Sequence, residues 1–362
     1  MVQEKWKKII LILLLILGAA GAFAVLINPK NLGTTAAVPW GLLIGTYVLF
    51  AVSSTGVGLI GSLASVFGVS KFKNLSHKGP VISLILLLCG FGALALELGR
   101  PLNLFYILIS PNFTSPIWWM GFFYTLYLAL LVVEVYFIIK KDDKHLPLIE
   151  KISFFIKIAA VTNLGAIFSM NVSRPFWQGA YFPIIMIVSA IASGAAILAI
   201  ISYFEKSNDS EFLTILGKIL LGSLLIMGAG SIWKFISAIY STAPADYLAS
   251  SSLLNGGWLI SFIFLEILIG IVTPVVLLLK WNFQKNMVII SSILAMFGLV
   301  FSRLNFISAG QMAPLYPRDS FAYFNSYSPS LSEWLILLGA TGTAVILIIT
   351  AAKKIFNNEP IL

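Results

Sequence analysis

The stretch ALALELGRPLN, Ala93 to Asn103, ends a run of about twenty apolar residues and places Glu97 three positions before Arg100. A run of that length is what a helix needs to cross a bilayer. Residues three apart share one face of a helix, so the carboxylate and the guanidinium lie side by side. Pro101 disfavours helical geometry at the residue before it. The helix is therefore expected to end near Gly99 and to release Arg100. The stretch reads as the rim of a membrane-spanning helix, with a charge pair where hydrocarbon gives way to water.

The chain repeats that pattern. Of 362 residues, 59% are hydrophobic and 10% are charged, and the mean hydropathy is +0.98. Soluble domains carry about 25% charged residues. Apolar runs of spanning length lie at 8–27, 39–67, 79–99, 116–139, 148–171, 181–204, 213–240, 254–279, 287–307 and 333–352. The separators NPKN, KNLSHKGP, GRP, KKDDKHLP, SRP, STAPAD and YPRDS hold helix-breaking residues. The first run follows QEKWKK. It is longer than the apolar core of a signal peptide and is read as a helix. The expectation is an all-α polytopic membrane protein with about ten transmembrane helices.

The net charge of +9 is read in that light. Sixteen Lys, from Lys5 to Lys354, fall in one set of alternate segments, and only Lys30, Arg100, Arg174, Arg303 and Arg318 fall in the other. Such asymmetry puts the Lys-rich segments, and both termini, in the cytoplasm. No basic run interleaved with aromatics points to nucleic acid. Four of the five outer basic residues are Arg, the residue suited to bidentate recognition. The outer face is therefore expected to be the working face. The outer loop 308–332, with YPRDSFAYFNSYSPSLSEW beginning at Tyr316, is expected to dock a partner or cover a site.

A lone Cys89 cannot hold an iron–sulfur cluster or a zinc ion, and it reads as a small packed residue. His77 and His145 lie in Lys-rich loops, and the spans carry no His to ligate a haem. No metal is expected in this chain.

A weak repeat is visible. AVSSTGVGLIGS, beginning at Ala51, resembles AIASGAAILAII, beginning at Ala190, and AIFSMN at Ala166 resembles LVFSRLN at Leu299. The offset is four spans, so the repeats run parallel. Four parts are expected: a peripheral helix in 1–38, four-helix bundles in 39–178 and 179–307, and the outer loop and last helix in 308–362.

Ionisable residues inside a bilayer are costly and are functional candidates. They are Glu97, Glu134, Lys157, Lys234 and Glu266, with Arg303 close to a helix end. Bland readings stand beside each. Glu134 and Lys157 could snorkel to cytoplasmic headgroups. Arg100 and Arg174 could meet outer phosphates. Trp118, Trp119 and Trp177 could belong to an interfacial belt. Lys234 and Glu266 reach water with difficulty along their own helices, so they pair with each other or line a wet cavity.

LELGRPLNLFYILISPNFTSPIWW, Leu96 to Trp119, resembles the acidic-Leu-Gly-Arg-Pro and Ser-Pro-Trp signature of the NrfD/polysulfide-reductase-type membrane subunits. NVSRPFWQGAYFPIIMIVSAIASGAAIL, Asn171 to Leu198, resembles that family's second repeat. The ten-span layout is similar to the hydrogenase-linked and sulfite-reduction-linked branch. The resemblance implies a protein that binds a quinone near the outer face and carries no haem or cluster. It also implies an iron–sulfur electron-transfer subunit and a catalytic subunit docked on that face. Glu97 stands where the family commonly has Asp. The intramembrane His of some members is absent from the second span, leaving Tyr47 or Thr46 as substitutes.

That chemistry suits the residues. Quinol oxidation releases two electrons and two protons, and needs a base within hydrogen-bond reach of the hydroxyl. Glu97 and Arg100 are the expected catalytic pair. Tyr47, Trp118, Trp119, Tyr124, Arg174, Trp177, Lys234 and Arg303 are the expected quinone-binding residues. Glu266, Lys157 and Glu134 form a possible proton path. The alternatives are a secondary transporter or other ion-translocating protein, and a passive anchor. Proline clustered at helix ends argues against the transporter, and mid-depth Lys234 and Glu266 argue against the passive anchor.

Overall fold

A computed structural model describes residues 2–98, 101–204, 210–314 and 324–355. Among them the regular structure is entirely helical, with ten helices long and apolar enough to cross a membrane. They are α1 (Val2–Ile27), α2 (Leu42–Gly61), α3 (Lys73–Glu97), α4 (Pro116–Lys140) and α5 (Leu146–Ser169). The second set is α6 (Tyr181–Phe204), α7 (Ser210–Ile239), α8 (Gly256–Lys280), α9 (Lys285–Met312) and α10 (Leu331–Ile355). This is the expected multi-pass membrane protein. Ten crossings return the chain to the face where it began, here called the terminal face. The other is the far face.

Helix ends follow local chemistry. Pro116 opens α4, where its missing N–H costs nothing. Lys141, at φ 55°, closes that helix in the left-handed conformation. The Asp142 carboxylate then accepts from the backbone of Lys144 and His145, both at 3.2 Å, to turn the chain into α5. One expected boundary moves: α3 begins at Lys73 rather than near Gly79, so Pro80 lies inside the helix. The polar KNLSHK stretch is helical, and just beyond it Gly79 faces Gly61 of α2, where an added Cβ would lie 3.4 Å from the Gly61 Cα. Across the same pair, Ser54 donates to the Ser83 carbonyl at 2.6 Å and Ser83 donates back to the Ser54 carbonyl at 2.9 Å.

α2 is the axis of the molecule. Its most apolar window is 94% buried, against 11% for α1 and 28% for α10. It packs on α3, α5, α6 and α9, whereas α1 lies mainly on α10 and α10 on α3. The outward side chains of α1, including Ile10, Leu13, Ile16 and Phe23, are exposed, as a lipid-facing helix requires.

α2 and α6 cross at Gly56 and Gly194, one from each of the two similar stretches. A Cβ on Gly56 would run into the Ala190 carbonyl, and one on Gly194 into the Gly56 backbone. Small residues at such a crossing let backbones meet in a solvent that offers no hydrophobic drive. Gly56→Val is expected to destabilise the chain by about 1–3 kcal/mol or more through overpacking. The shift of the denaturant midpoint of the purified protein in micelles reads this. The same substitution at Gly222, where a Cβ would meet nothing, is expected to leave the midpoint in place.

Candidate functional site

The far-face end of α2 gathers polar groups from four distant parts of the chain. The first N–H groups of a helix have no partner within it. Here the N–H groups of Trp40, Gly41 and Leu42, at the entry to α2, each find a side chain. Trp40 N–H donates to Gln311 Oε1 at 3.0 Å, and Gln311 Nε2 returns a bond to the Trp40 carbonyl at 2.9 Å. Gly41 N–H donates to Glu97 Oε1 at 3.2 Å. Leu42 N–H is shared between Glu333 Oε1 at 3.0 Å and the Tyr327 hydroxyl at 2.6 Å. A Cβ on Gly41 would crowd the ends of the Glu333, Tyr327 and Thr34 side chains.

Glu97 ends α3 with one oxygen on α2. Its other oxygen, Oε2, is buried with no hydrogen-bond partner among the described residues. Trp118 Nε1, on α4, is likewise buried without a partner among them. The Tyr124 ring, also on α4, is buried with its hydroxyl toward Thr55. Tyr47 packs against Phe91 and Tyr124, with centroids 6.2 Å away in each case, and reaches Met120 Sδ at 3.4 Å. Trp119 donates to the Phe113 carbonyl at 2.9 Å. Arg100 lies outside the described residues, as do Arg318 and the YPRDS stretch around it.

Arg174 and Trp177 have structural employment. The Arg174 guanidinium donates to the carbonyls of Gln311 at 3.2 Å, Ala313 at 2.8 Å and Ala37 at 3.3 Å. Burial draws its proton affinity below the ordinary value. The expectation that it meets outer phosphates is therefore corrected: its donors point into the protein, because three loop carbonyls converge on them there. Trp177 is 2% exposed, so it does not belong to a belt. Its indole donates to the Phe306 carbonyl at 2.7 Å and stacks on Trp40 at 5.3 Å.

A second polar centre lies between α6, α7, α8 and α9. Residues Ile260–Val272 of α8 are wound wider, as a π-helix, and carry Glu266 inward. Such winding concentrates at functional sites. Asn305 Nδ2 donates to Glu266 Oε2 at 2.7 Å, and Ser261 donates to Asn305 Oδ1 at 2.6 Å. Arg303, 3% exposed, donates to Ser189 Oγ at 2.6 Å and leaves Nε without a partner among the described residues. Lys234 sits 5.0 Å from the centre of the Phe176 ring. Lys234 and Glu266 form no ion pair with each other. They line the same cavity of about 50 Å³.

The third centre is nearer the terminal face. Lys157 and Glu134 are fully buried and face each other at 3.5 Å, and Lys157 also donates to Ser62 Oγ at 3.1 Å. They pair with each other instead of snorkelling, because α2 closes over both. Glu150, 1% exposed, lines a larger cavity of about 410 Å³ with Lys73, His77 and Asp143, and its Oε2 has no partner among the described residues. Thus Glu97, Tyr47, Tyr124 and the α4 tryptophans fall at one end, Lys234, Glu266 and Arg303 form a separate cluster, and Lys157 and Glu134 form a third. Sequence reading missed Glu333, Tyr327, Gln311, Glu150 and Asn305. Glu333 had a signal: Ser330-x-x-Glu333 is a capping box, with reciprocal bonds of 2.7 and 3.2 Å.

A ten-span helical membrane protein with buried carboxylates, guanidinium and phenols is the class that fold and site define. The family described as "Polysulphide reductase, NrfD" matches residues 30–314, and this chain belongs to it. Three relatives show its range. A subunit of the selenate reductase from Mesobacillus selenatarsenatis is 24% identical, with 88% of this chain and 87% of the relative matched. The Hdr-like menaquinol oxidoreductase integral membrane subunit of Archaeoglobus fulgidus is 24% identical, over 95% and 92%. The integral membrane subunit of a menaquinone reductase from Nitratidesulfovibrio vulgaris is 23% identical, over 80% and 77%.

Removing one partner of a buried ion pair strands the other. Lys157→Met is expected to cost about 3–5 kcal/mol, and adding Glu134→Gln to recover most of it. A double-mutant cycle on unfolding in micelles checks this.

Proposed function

We propose that this chain is the quinone-reactive membrane subunit of a multi-subunit respiratory oxidoreductase. It exchanges electrons between the membrane quinone pool and an iron–sulfur partner docked on the far face, which this reading takes as the outer one. The observation that carries the proposal is the state of Glu97. One carboxylate oxygen is fixed on the Gly41 N–H, and the other is buried with no partner among the described residues. A base so held is ready to accept a proton from a quinol hydroxyl. Tyr47, Tyr124, Trp118 and Trp119 offer aromatic walls beside it, with the Trp118 indole as a spare donor. Arg100, a short step along the chain, would complete the pair. The names of the relatives support the quinone substrate, since two of the three refer to menaquinol or menaquinone.

In quinol oxidation, two electrons leave for the partner while each hydroxyl loses its proton, the first to Glu97. In quinone reduction the same groups work in reverse. Arg174 and Trp177 serve by holding the loop before α2. Lys234, Arg303 and Glu266, grouped around Asn305, and the Lys157–Glu134 pair are then candidate stations for protons rather than contacts to the ring. In this reading 39–178 and 179–307 are two halves, with the quinone in the first and 1–38 and 308–362 as flanks.

The test is binding of a quinone analogue to the purified chain, read by tryptophan quenching, for wild type, Glu97→Gln and Tyr47→Phe. Tight binding that weakens about tenfold in Glu97→Gln, near 1.4 kcal/mol, is expected. Unaltered binding in both variants would move the quinone away from this end of α2. No binding by wild type, with solute uptake by the lone chain in vesicles, would favour the transporter instead.

A further inference from the structure

α10 begins beyond residue 314, where the family match ends. It nevertheless delivers a fully buried carboxylate to the same helix end as Glu97. The two carboxylates are treated very differently. Glu333 Oε1 accepts from Leu42 N–H at 3.0 Å and from the Tyr327 hydroxyl at 2.8 Å. Glu333 Oε2 accepts from Gly33 N–H at 3.0 Å and from Ser330 N–H at 2.7 Å. All four partners are donors. Three of the four are backbone N–H groups, which cannot accept a hydrogen from the carboxyl.

Burial, and then the adjacent Glu333 carboxylate, hold the Tyr327 phenol far above its ordinary value, so it keeps the hydrogen that it donates to Glu333 while its oxygen accepts from Leu42 N–H at 2.6 Å. Glu97 is the opposite case. It has one donor on Oε1 and a buried Oε2 without a partner among the described residues, where a proton can be added or removed without breaking a described bond. Glu333 and Tyr327 are the described titratable groups within electrostatic reach of Glu97.

We infer that Glu333 is a positioning residue for the quinone reaction: a carboxylate locked by four donors, it takes the Leu42 N–H, leaves the Gly41 N–H to Glu97, and so leaves Glu97 as the member of the pair with an oxygen open to a proton. This rests on the reading of Glu97 as the quinone base. Two carboxylates sharing one helix end interact, so replacing one by a neutral amide changes the conditions under which the other titrates. Glu333 touches neither substrate nor reacting atoms. It works through the α2 terminus, with Tyr327 and the Ser330 cap holding it in place.

The test needs no quinone. Infrared spectra of the purified full chain in lipid discs are recorded across pH, and the carboxylic C=O band lost in Glu97→Gln is assigned to Glu97. That band is then titrated in wild type, Glu333→Gln and Tyr327→Phe. The expected result is a midpoint displaced by about one pH unit or more in Glu333→Gln, a tenfold change in proton affinity, with a smaller displacement in Tyr327→Phe. A purely structural Glu333 would lower the unfolding temperature of its variant and leave the titration where it was. Superimposable titrations in the folded variants would overturn the inference. If Glu333→Gln does not fold, Tyr327→Phe carries the test, since it keeps the ring and deletes one of the four donors. Analogue binding with an unmoved titration defeats this inference alone. A displaced titration without analogue binding supports the carboxylate pair and defeats only the quinone reading.

Discussion

The structure depends on the unsatisfied N–H groups at the start of α2. In a bilayer an unpaired backbone donor costs several kcal/mol, and water is scarce for the most enclosed helix in the molecule. The chain answers by bringing Gln311 from α9, Glu97 from α3, and Tyr327 and Glu333 from the α10 end to three successive residues, Trp40, Gly41 and Leu42. Those bonds fix where four helices stand relative to one another. They also concentrate negative charge where the helix dipole is positive, which is the favourable arrangement. Arg174 then fastens the chain on either side of this knot through the carbonyls of Ala37, Gln311 and Ala313.

The buried charges fall into three groups with separate logic. At the far face a carboxylate pair is supported by backbone donors. Around α8, Glu266 and Arg303 are each tied to neutral groups, Asn305 and Ser189, instead of to each other. Toward the terminal face, Lys157 and Glu134 neutralise one another. A directly paired charge is hard to move, whereas a charge satisfied by neutral hydrogen bonds responds to what is added beside it.

Much of this was legible in the sequence. Ten runs gave ten spans because length and hydropathy alone decide which segments cross. The two similar stretches beginning at Ala51 and Ala190 each contain a glycine of the α2–α6 crossing, where a small residue is needed from both helices. Glu97, Tyr47 and Tyr124 were candidates by charge, aromatic character and position. Other features were not recoverable. Nothing local in LSEW says that Glu333 reaches Leu42, 291 residues away. Arg174 looked like a ligand for phosphate because hydropathy shows depth along a helix, not which way a side chain turns. Glu266 and Lys234 left two options open, and only the lateral packing of α7, α8 and α9 chose the shared cavity.

The enclosure of α2 has a consequence for how the protein is made. It is the second segment to leave the ribosome, yet α6, α9 and α10, which cover it, follow more than a hundred residues later. Until then a helix bearing Ser53, Ser54 and Thr55 must wait in or beside the insertion machinery with only α1 and α3 to α5 for company. The bonds of Ser54 to Ser83 of α3 and to Tyr127 of α4 are available early and give that hydroxyl somewhere to go. The glycine face that will receive α6 stays open. Assembly of this chain is therefore a wrapping of later helices around an early one, and a ribosome stalled before α6 would leave its most enclosed span uncovered.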